Sequence, residues 1–226
     1  MINALPHLEA VPLFAGLTRE ERSLVAGFCR VEVVDKGQTI FDEGTESSEL
    51  TFVIFGRAKI VKAAQGRDVI LGLFGPGEPL GVMAVLDGNA YPATAIALEP
   101  TTLLHVPDRE FFGLLGQHPG MTRHLIRGLV MRQFEVTRRL ADLTGSVEFR
   151  IARLFLTLAE RVGRVEGDGA EIELALTRKE IADLAATTIE TAIRVMSRWS
   201  KDGLVATHPR GFTIPSLGAL RALTEG

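Results

Sequence analysis

Disulfide chemistry and cysteine-built metal centres have no raw material in this chain, which carries one cysteine, Cys29, in 226 residues. A single thiol excludes an internal disulfide, a four-cysteine iron–sulfur cluster and a four-cysteine zinc site within one chain. A basic excess is missing too, since 25 Lys and Arg stand against 28 Asp and Glu, a net charge of −3. Non-specific coating of nucleic acid is therefore excluded, and any binding to it must come from a local patch. No apolar run reaches the roughly 18 residues of a membrane span, and the first residues lack the charged start and apolar core of a signal peptide, so a cytoplasmic protein is expected. Catalytic motifs are absent as well. There is no G-x-S-x-G, no phosphate loop, no metal-ligand spacing and no His and Asp set around Cys29, and an enzyme is not expected.

What is present is organised around residues 176–214. Thr177 stands three residues before Glu180, a capping box that predicts a helix from Arg178 with Ile181, Leu184 and Ala185 inward. Ala186 and Thr187 make a turn. Thr187 or Thr188 then caps a longer helix whose apolar stripe is Ile189, Ala192, Ile193, Met196 and Trp199, ended by Gly203. The opposite face carries Glu190, Thr191, Arg194, Arg198 and Lys201. An arginine can bond two acceptors of a guanine edge, and a glutamate can accept from a cytosine amine, so Glu190 and Arg194, one turn apart, can read adjacent bases. Residues 204–214, turning at His208, Pro209, Arg210 and Gly211, read as a hairpin that sets Arg210 beside phosphates. From residue 146 onward eleven basic and eleven acidic residues balance, so the clustering of Arg194, Arg198, Lys201 and Arg210 carries the argument.

The phrase TRKEIADLAATTIETAIRVMSRWSKDGLV, residues 177–205, resembles the DNA-binding end of the CRP/FNR family of bacterial transcription regulators. The resemblance implies that Glu190 and Arg194 read bases, that Thr188 touches a phosphate or base, and that Thr177 or Arg178 touches the backbone. This chain departs from the family pattern at three places. Ala186 stands where the turn usually has glycine, Ile189 replaces an arginine common in the cAMP-responsive branch, and Ile193 replaces a serine used by the oxygen-sensing branch. The half-site stays open.

Upstream, Thr18 and Glu21 form a second capping box, with Leu24, Val25 and Phe28 as the apolar face of a short helix. Residues 31–106 then change to short β-branched runs punctuated by glycine, which predicts a small all-β unit. Lys36 to Gly44, KGQTIFDEG, with Phe52, Ile54, Lys59 and Ile60, resembles the β-roll of cyclic-nucleotide-binding domains. The expected fold is α+β: a roll over residues 1–118, a long dimerisation helix and hinge over 119–145, and a winged helix-turn-helix over 146–226. A short helix opens at Pro107 and runs to Leu115. In the long helix, expected over 121–143, Leu125, Leu129, Arg132, Val136, Leu140 and Leu143 recur at coiled-coil steps, a seam fit for a partner helix or for packing on the β-roll; the resemblance implies that it is the dimer helix. Gly145 breaks it, Ser146 caps the next helix over 147–162, and the hinge is expected at 144–146. Two recognition helices about 34 Å apart predict a palindromic site on double-stranded DNA. The resemblance adds RNA polymerase as a partner, touched by residues 163–170 and 64–68.

The effector segment is GEPLGVMAVLDGNAYPATA, residues 77–95. In cAMP-binding members such a segment has a glutamate for the ribose and an Arg-Ser for the cyclic phosphate. Here Val82 takes the first place and Tyr91, Pro92 and Ala93 the second, with no basic residue between Arg67 and Arg109. A buried phosphodiester would lack compensation, so cAMP is not expected, nor is the iron–sulfur cluster of the oxygen sensors. Gly81 and Val82 with Arg132 resemble part of a 2-oxoglutarate pocket whose loop arginine is missing. NAYPATAIAL resembles the nitrogen-oxide and haem-dependent branch, with His7, His105, His118 and His124 as candidate haem ligands. A further alternative is a ligand-free pocket filled by Val82, Met83, Leu86 and Tyr91. The candidate pocket residues are Gly81, Val82, Met83, Tyr91, Arg132 and Val136. A rival of a different class is a ligand-sensing module acting on a protein partner; the cationic face speaks for DNA, because protein interface cores are depleted in charge.

Overall fold

The computed structural model describes residues 3–64 and 67–225. The chain divides into two compact units, Met1–Arg132 and Gln133–Gly226.

The first unit opens with α1 (Leu5–Glu9), a 3-10 turn (Pro12–Phe14) and α2 (Arg19–Ala26). The Thr18 capping box forms as expected, with Thr18 Oγ1 accepting from the Glu21 N–H and Glu21 accepting from the Thr18 N–H. Leu24 departs from the expected apolar face: it is 73% exposed, because the short helix seats itself through Val25, with Ala26 and Phe28 packed beside it. The strands follow: β1 (Arg30–Val34), β2 (Thr39–Phe41), β3 (Glu49–Phe55), β4 (Ala58–Ala64), β5 (Arg67–Phe74) and β6 (Pro79–Leu80), then α3 (Val82–Asp87), β7 (Thr94–Ala97) and β8 (Thr101–Pro107). They form two antiparallel sheets, β1-β8-β3-β6 and β2-β7-β4-β5.

The sequence of β3, ELTFVIF, shows no polar alternation because both of its faces are covered. Val53, with Val34, Leu80 and Leu103 of its own sheet, packs between the sheets against Ala58, Ala97 and the half-buried Ile60 and Phe74. Leu50 and Phe52 point the other way, into a second core with Leu104, Val106, Phe14 and Phe111. Phe111 belongs to α4 (Asp108–Gln117), and α5 (Pro119–Asp142) adds Met121 and Leu125 to that core. The roll expected from the glycine-punctuated runs is the fold observed.

The second unit takes the last residues of α5, then α6 (Val147–Val162), β9 (Gly163–Glu166), β10 (Gly169–Ile172), α7 (Arg178–Leu184), α8 (Ile189–Lys201), β11 (Ala206–His208), β12 (Gly211–Ile214) and α9 (Leu217–Ala222). Residues 163–170, read from sequence as a loop, are mostly a hairpin, and it extends the expected wing into a four-stranded sheet, β11-β12-β10-β9. Its core joins Phe155 of α6, Trp199 of α8 and Phe212 of β12, with ring centroids 6.4 and 5.0 Å from Phe155. Among the described residues no helix is long and apolar enough to cross a membrane.

Candidate functional site

Residues 177–201 fold into two helices joined by a tight turn. Thr177 caps α7 and its box with Glu180 is complete. Of the two candidate caps for α8, Thr188 is the one used, its Oγ1 accepting from the Thr191 N–H at 3.3 Å. Ala186 lies between the helices at φ 49°, a left-handed conformation that costs an alanine roughly 1 kcal/mol or more. The turn is held by a residue that sequence reading missed. Arg150 of α6 donates to the carbonyls of Ala185 (2.8 Å) and Ala186 (3.2 Å), and also to Gly145 (2.7 Å) and Leu143 (3.4 Å). Arg139 of α5 donates to Leu184 O at 3.3 Å, and the ion pairs Arg153 to Asp142 and Arg161 to Glu135 link α5 to α6.

The buried face of α8 is Ala192, Val195, Met196 and Trp199. Ile189 and Ile193, expected inward, are 40% and 45% exposed, since those four residues already fill the seat of the helix. Glu190, Arg194 and Lys201 are on the exposed side as expected, with Thr191 half-buried at the edge. Arg198 is exposed as well, with its guanidinium paired to Glu148 at the start of α6. Arg178 donates to Thr207 Oγ1 at 3.0 Å, and burial pulls its guanidinium below the ordinary arginine range. It braces the wing against α7. The wing hairpin pairs His208 with Gly211 around an exposed Pro209 and Arg210. Arg210 stands 3.5 Å from Glu173, with its side chain 78% exposed. His208 lies 2.7 Å from Glu171, which also accepts from Thr213 Oγ1.

In the roll, residues 88–93 are tied down at many points. Tyr91 is buried, stacks on Phe41 at 3.8 Å and donates its hydroxyl to Glu49 O at 3.2 Å; burial, then the Glu49 charge, pushes the phenol up. The Tyr91 backbone bonds to Gly44 and Thr45. Gly81 is required beneath it, at φ 70°, since a Cβ there would fall 2.4 Å from the tyrosine ring. Although the segment carries no cation of its own, β4 delivers one: Lys62 donates to Pro92 O at 2.7 Å and pairs with Glu43. Met83 and Leu86, expected to fill a pocket, are exposed at 64% and 37% on the outer side of the short α3, and Val82 is half-buried. Arg132 stacks its guanidinium 4.3 Å over Phe74 and occupies the space a side chain at Gly72 would need. Val136 is 40% exposed.

The four candidate haem histidines lie on separate elements. His105, buried on β8, has Nδ1 3.0 Å from Thr51 Oγ1 and 2.9 Å from Glu49, and Glu32 stands 3.2 Å from Nε2, out of line for a hydrogen bond. Arg30 joins the same two carboxylates, and the bond to His105 holds Glu49 below the usual carboxylate range. His118 faces Glu21 at 3.6 Å, His124 is exposed, and His7 lies half-buried in α1.

Of the expected seam on α5, Leu125 is buried in the core of the roll and Leu129 and Arg132 are half-buried, while Val136 and Leu140 are exposed; Ile126 (54%), Val130 (47%) and Phe134 (66%) form a second exposed row beside them. Leu143 is exposed just beyond the helix end.

A nucleotide-type roll, a long helix and a winged helix-turn-helix define the architecture of a DNA-binding transcription regulator. The family model described as Cyclic nucleotide-binding domain matches residues 31–118, and that described as Crp-like helix-turn-helix domain matches residues 149–223. Together they span most of the chain, and the chain belongs to the CRP/FNR family of transcription regulators. It is 27% identical over 206 residues to a CRP-like cAMP-activated global transcriptional regulator of Mycobacterium tuberculosis, covering 89% of this chain and 91% of the relative. It is 28% identical over 222 residues to the cyclic AMP receptor protein of Thermus thermophilus, covering 97% and 99%. Among solved structures it resembles a second Thermus thermophilus protein, a transcriptional regulator of the CRP family, with TM-score 0.73, 25% identity, and 86% and 97% of the two chains covered. These relatives are regulators, not enzymes.

Proposed function

We propose that the chain acts in the cytoplasm as a homodimer on a palindromic promoter site, under control of an effector other than cAMP. The observation that carries the reading is the exposed side of α8, where Glu190 and Arg194 stand one turn apart with Lys201 beyond them and Arg210 projecting from the wing. The apolar stripe of α5 supports pairing of two copies along that helix. Relatives named for cAMP raise that ligand for this chain too. Against it stand Val82 and Pro92 at the ribose and phosphate positions, the buried Tyr91, and a Lys62 already engaged by Glu43 and a carbonyl. Haem is disfavoured by the engagement of His105. Contact with RNA polymerase through the β9–β10 hairpin belongs to the same proposal; in the second expected contact, 64–68, residues 65 and 66 lie outside the described residues.

Selection of duplexes from a random library, anisotropy titration and native mass test the reading. A dimer that enriches an inverted repeat and is indifferent to cAMP is expected. Arg194→Ala should weaken that site by about 1–3 kcal/mol if the residue reads a guanine; an unchanged affinity would remove it from base reading. Tightening by cAMP would overturn the effector assignment, and a Soret band in the purified protein would restore haem.

A further inference from the structure

Ile189 and Ile193 lie one turn apart on the exposed side of α8, in the row beside Glu190 and Arg194. The fold gives no reason for them. Ala192, Val195, Met196 and Trp199 already seat the helix, and a β-branched residue is a below-average helix former. A pair of stiff apolar side chains next to a base-reading pair is suited to one feature of the major groove. Thymine carries there a 5-methyl group, the apolar mark on a base edge. Isoleucine in a helix holds essentially one χ1 rotamer, so little freedom is lost on contact. Opposite a G·C pair the same side chain would cover polar edges without offering them a hydrogen bond, which discriminates against that pair.

We infer that Ile189 and Ile193 select thymine by its methyl group at positions adjoining the base pairs read by Glu190 and Arg194. The inference rests on the proposed groove-facing role of α8. Four residues of helix rise about 6 Å, close to two base-pair steps of about 3.4 Å, so the two thymines fall within about two steps of each other.

The test uses the full chain and its selected duplex. Each thymine of the half-site is replaced in turn by deoxyuridine, which lacks only the methyl, and affinity is measured for the native protein, Ile189→Ala and Ile193→Ala. Both residues are exposed, so the variants leave the core untouched. Expected are thymines in the enriched half-site, a loss of about fourfold for each contacted methyl with native protein, and disappearance of that loss in the variant lacking its reader. A half-site without thymine, tolerance of deoxyuridine by the native protein, or a loss that persists unchanged in both variants overturns the inference while leaving DNA binding intact. A library from which nothing is enriched overturns the groove-facing role and this inference together.

Discussion

Arg150 sends its guanidinium to four carbonyl oxygens, at residues 143, 145, 185 and 186. Removing it leaves acceptors without a charged donor around a strained Ala186, and hydrogen bonds to charged groups are worth about 1.5–3 kcal/mol each before relaxation. Arg150→Ala is expected to lower stability by about 2–4 kcal/mol in urea unfolding, with an unchanged m-value, and Arg150→Lys to recover less than half because an ammonium lacks the fork. A second residue-scale expectation concerns acid. Glu49 is held below its ordinary value of 4.5 first by the bond to His105 and further by Arg30. A carboxyl whose folded value is depressed contributes stability that is full above the unfolded value and lost as pH falls through the folded one. Unfolding midpoints should therefore drop below about pH 4.5, and Glu49→Gln should flatten that acid limb; an equally steep limb in the variant would place the linkage elsewhere. None of this was legible in the sequence. The partners of Arg150 in the turn are backbone oxygens 35 and 36 positions away, and backbone acceptors carry no sequence signal.

Elements were more legible than the faces they present. The capping boxes at Thr18 and Thr177 are local devices in which two residues three positions apart fix one helix start, and both form. The hairpin around Pro209 and Arg210 likewise follows from its turn residues. The β9–β10 hairpin could have been found from Gly167, Asp168 and Gly169, but its strands are short and charged, so period-2 apolar patterning is missing. Periodicity assigns apolar residues to a core and cannot say which of two apolar stripes a helix will bury. That is why Ile189 and Ile193 were placed inward, and why the α5 seam was read through Leu125. The distinction is measurable. Phe134→Glu, on the exposed stripe, is expected to halve the native mass in solution while the protomer stays folded. Leu125→Ala, inside the roll core, is expected to lower stability by about 2–4 kcal/mol and leave the mass unchanged. Reversed results would return the seam to Leu125.

For the whole molecule, a net charge of −3 means that attraction to DNA depends on few cations. Among those expected, Arg198 pairs with Glu148 and Arg210 stands beside Glu173, while Arg178 keeps its charge as it donates to the Thr207 hydroxyl. Arg210→Ala should therefore weaken binding to all duplexes alike and reduce the slope of log K against log salt by about 1, read from titrations at several salt concentrations; a change in preferred sequence instead would reassign the wing to base reading. Family and architecture were legible because the roll and helix-turn-helix phrases are long and dense. The candidate pocket was less legible, because the contacts around it, Tyr91 on Phe41, Lys62 on Pro92 and Arg132 on Phe74, join separated segments. The Arg150 clamp has one more consequence. Its fork spans the residues that follow α5 and the turn that launches α8, while Arg139 stitches α5 itself to the end of α7. Torsion at the last turns of α5 therefore has a hydrogen-bonded route to the turn that launches α8, and Arg150→Ala is expected to weaken DNA binding by more than its loss of stability alone accounts for.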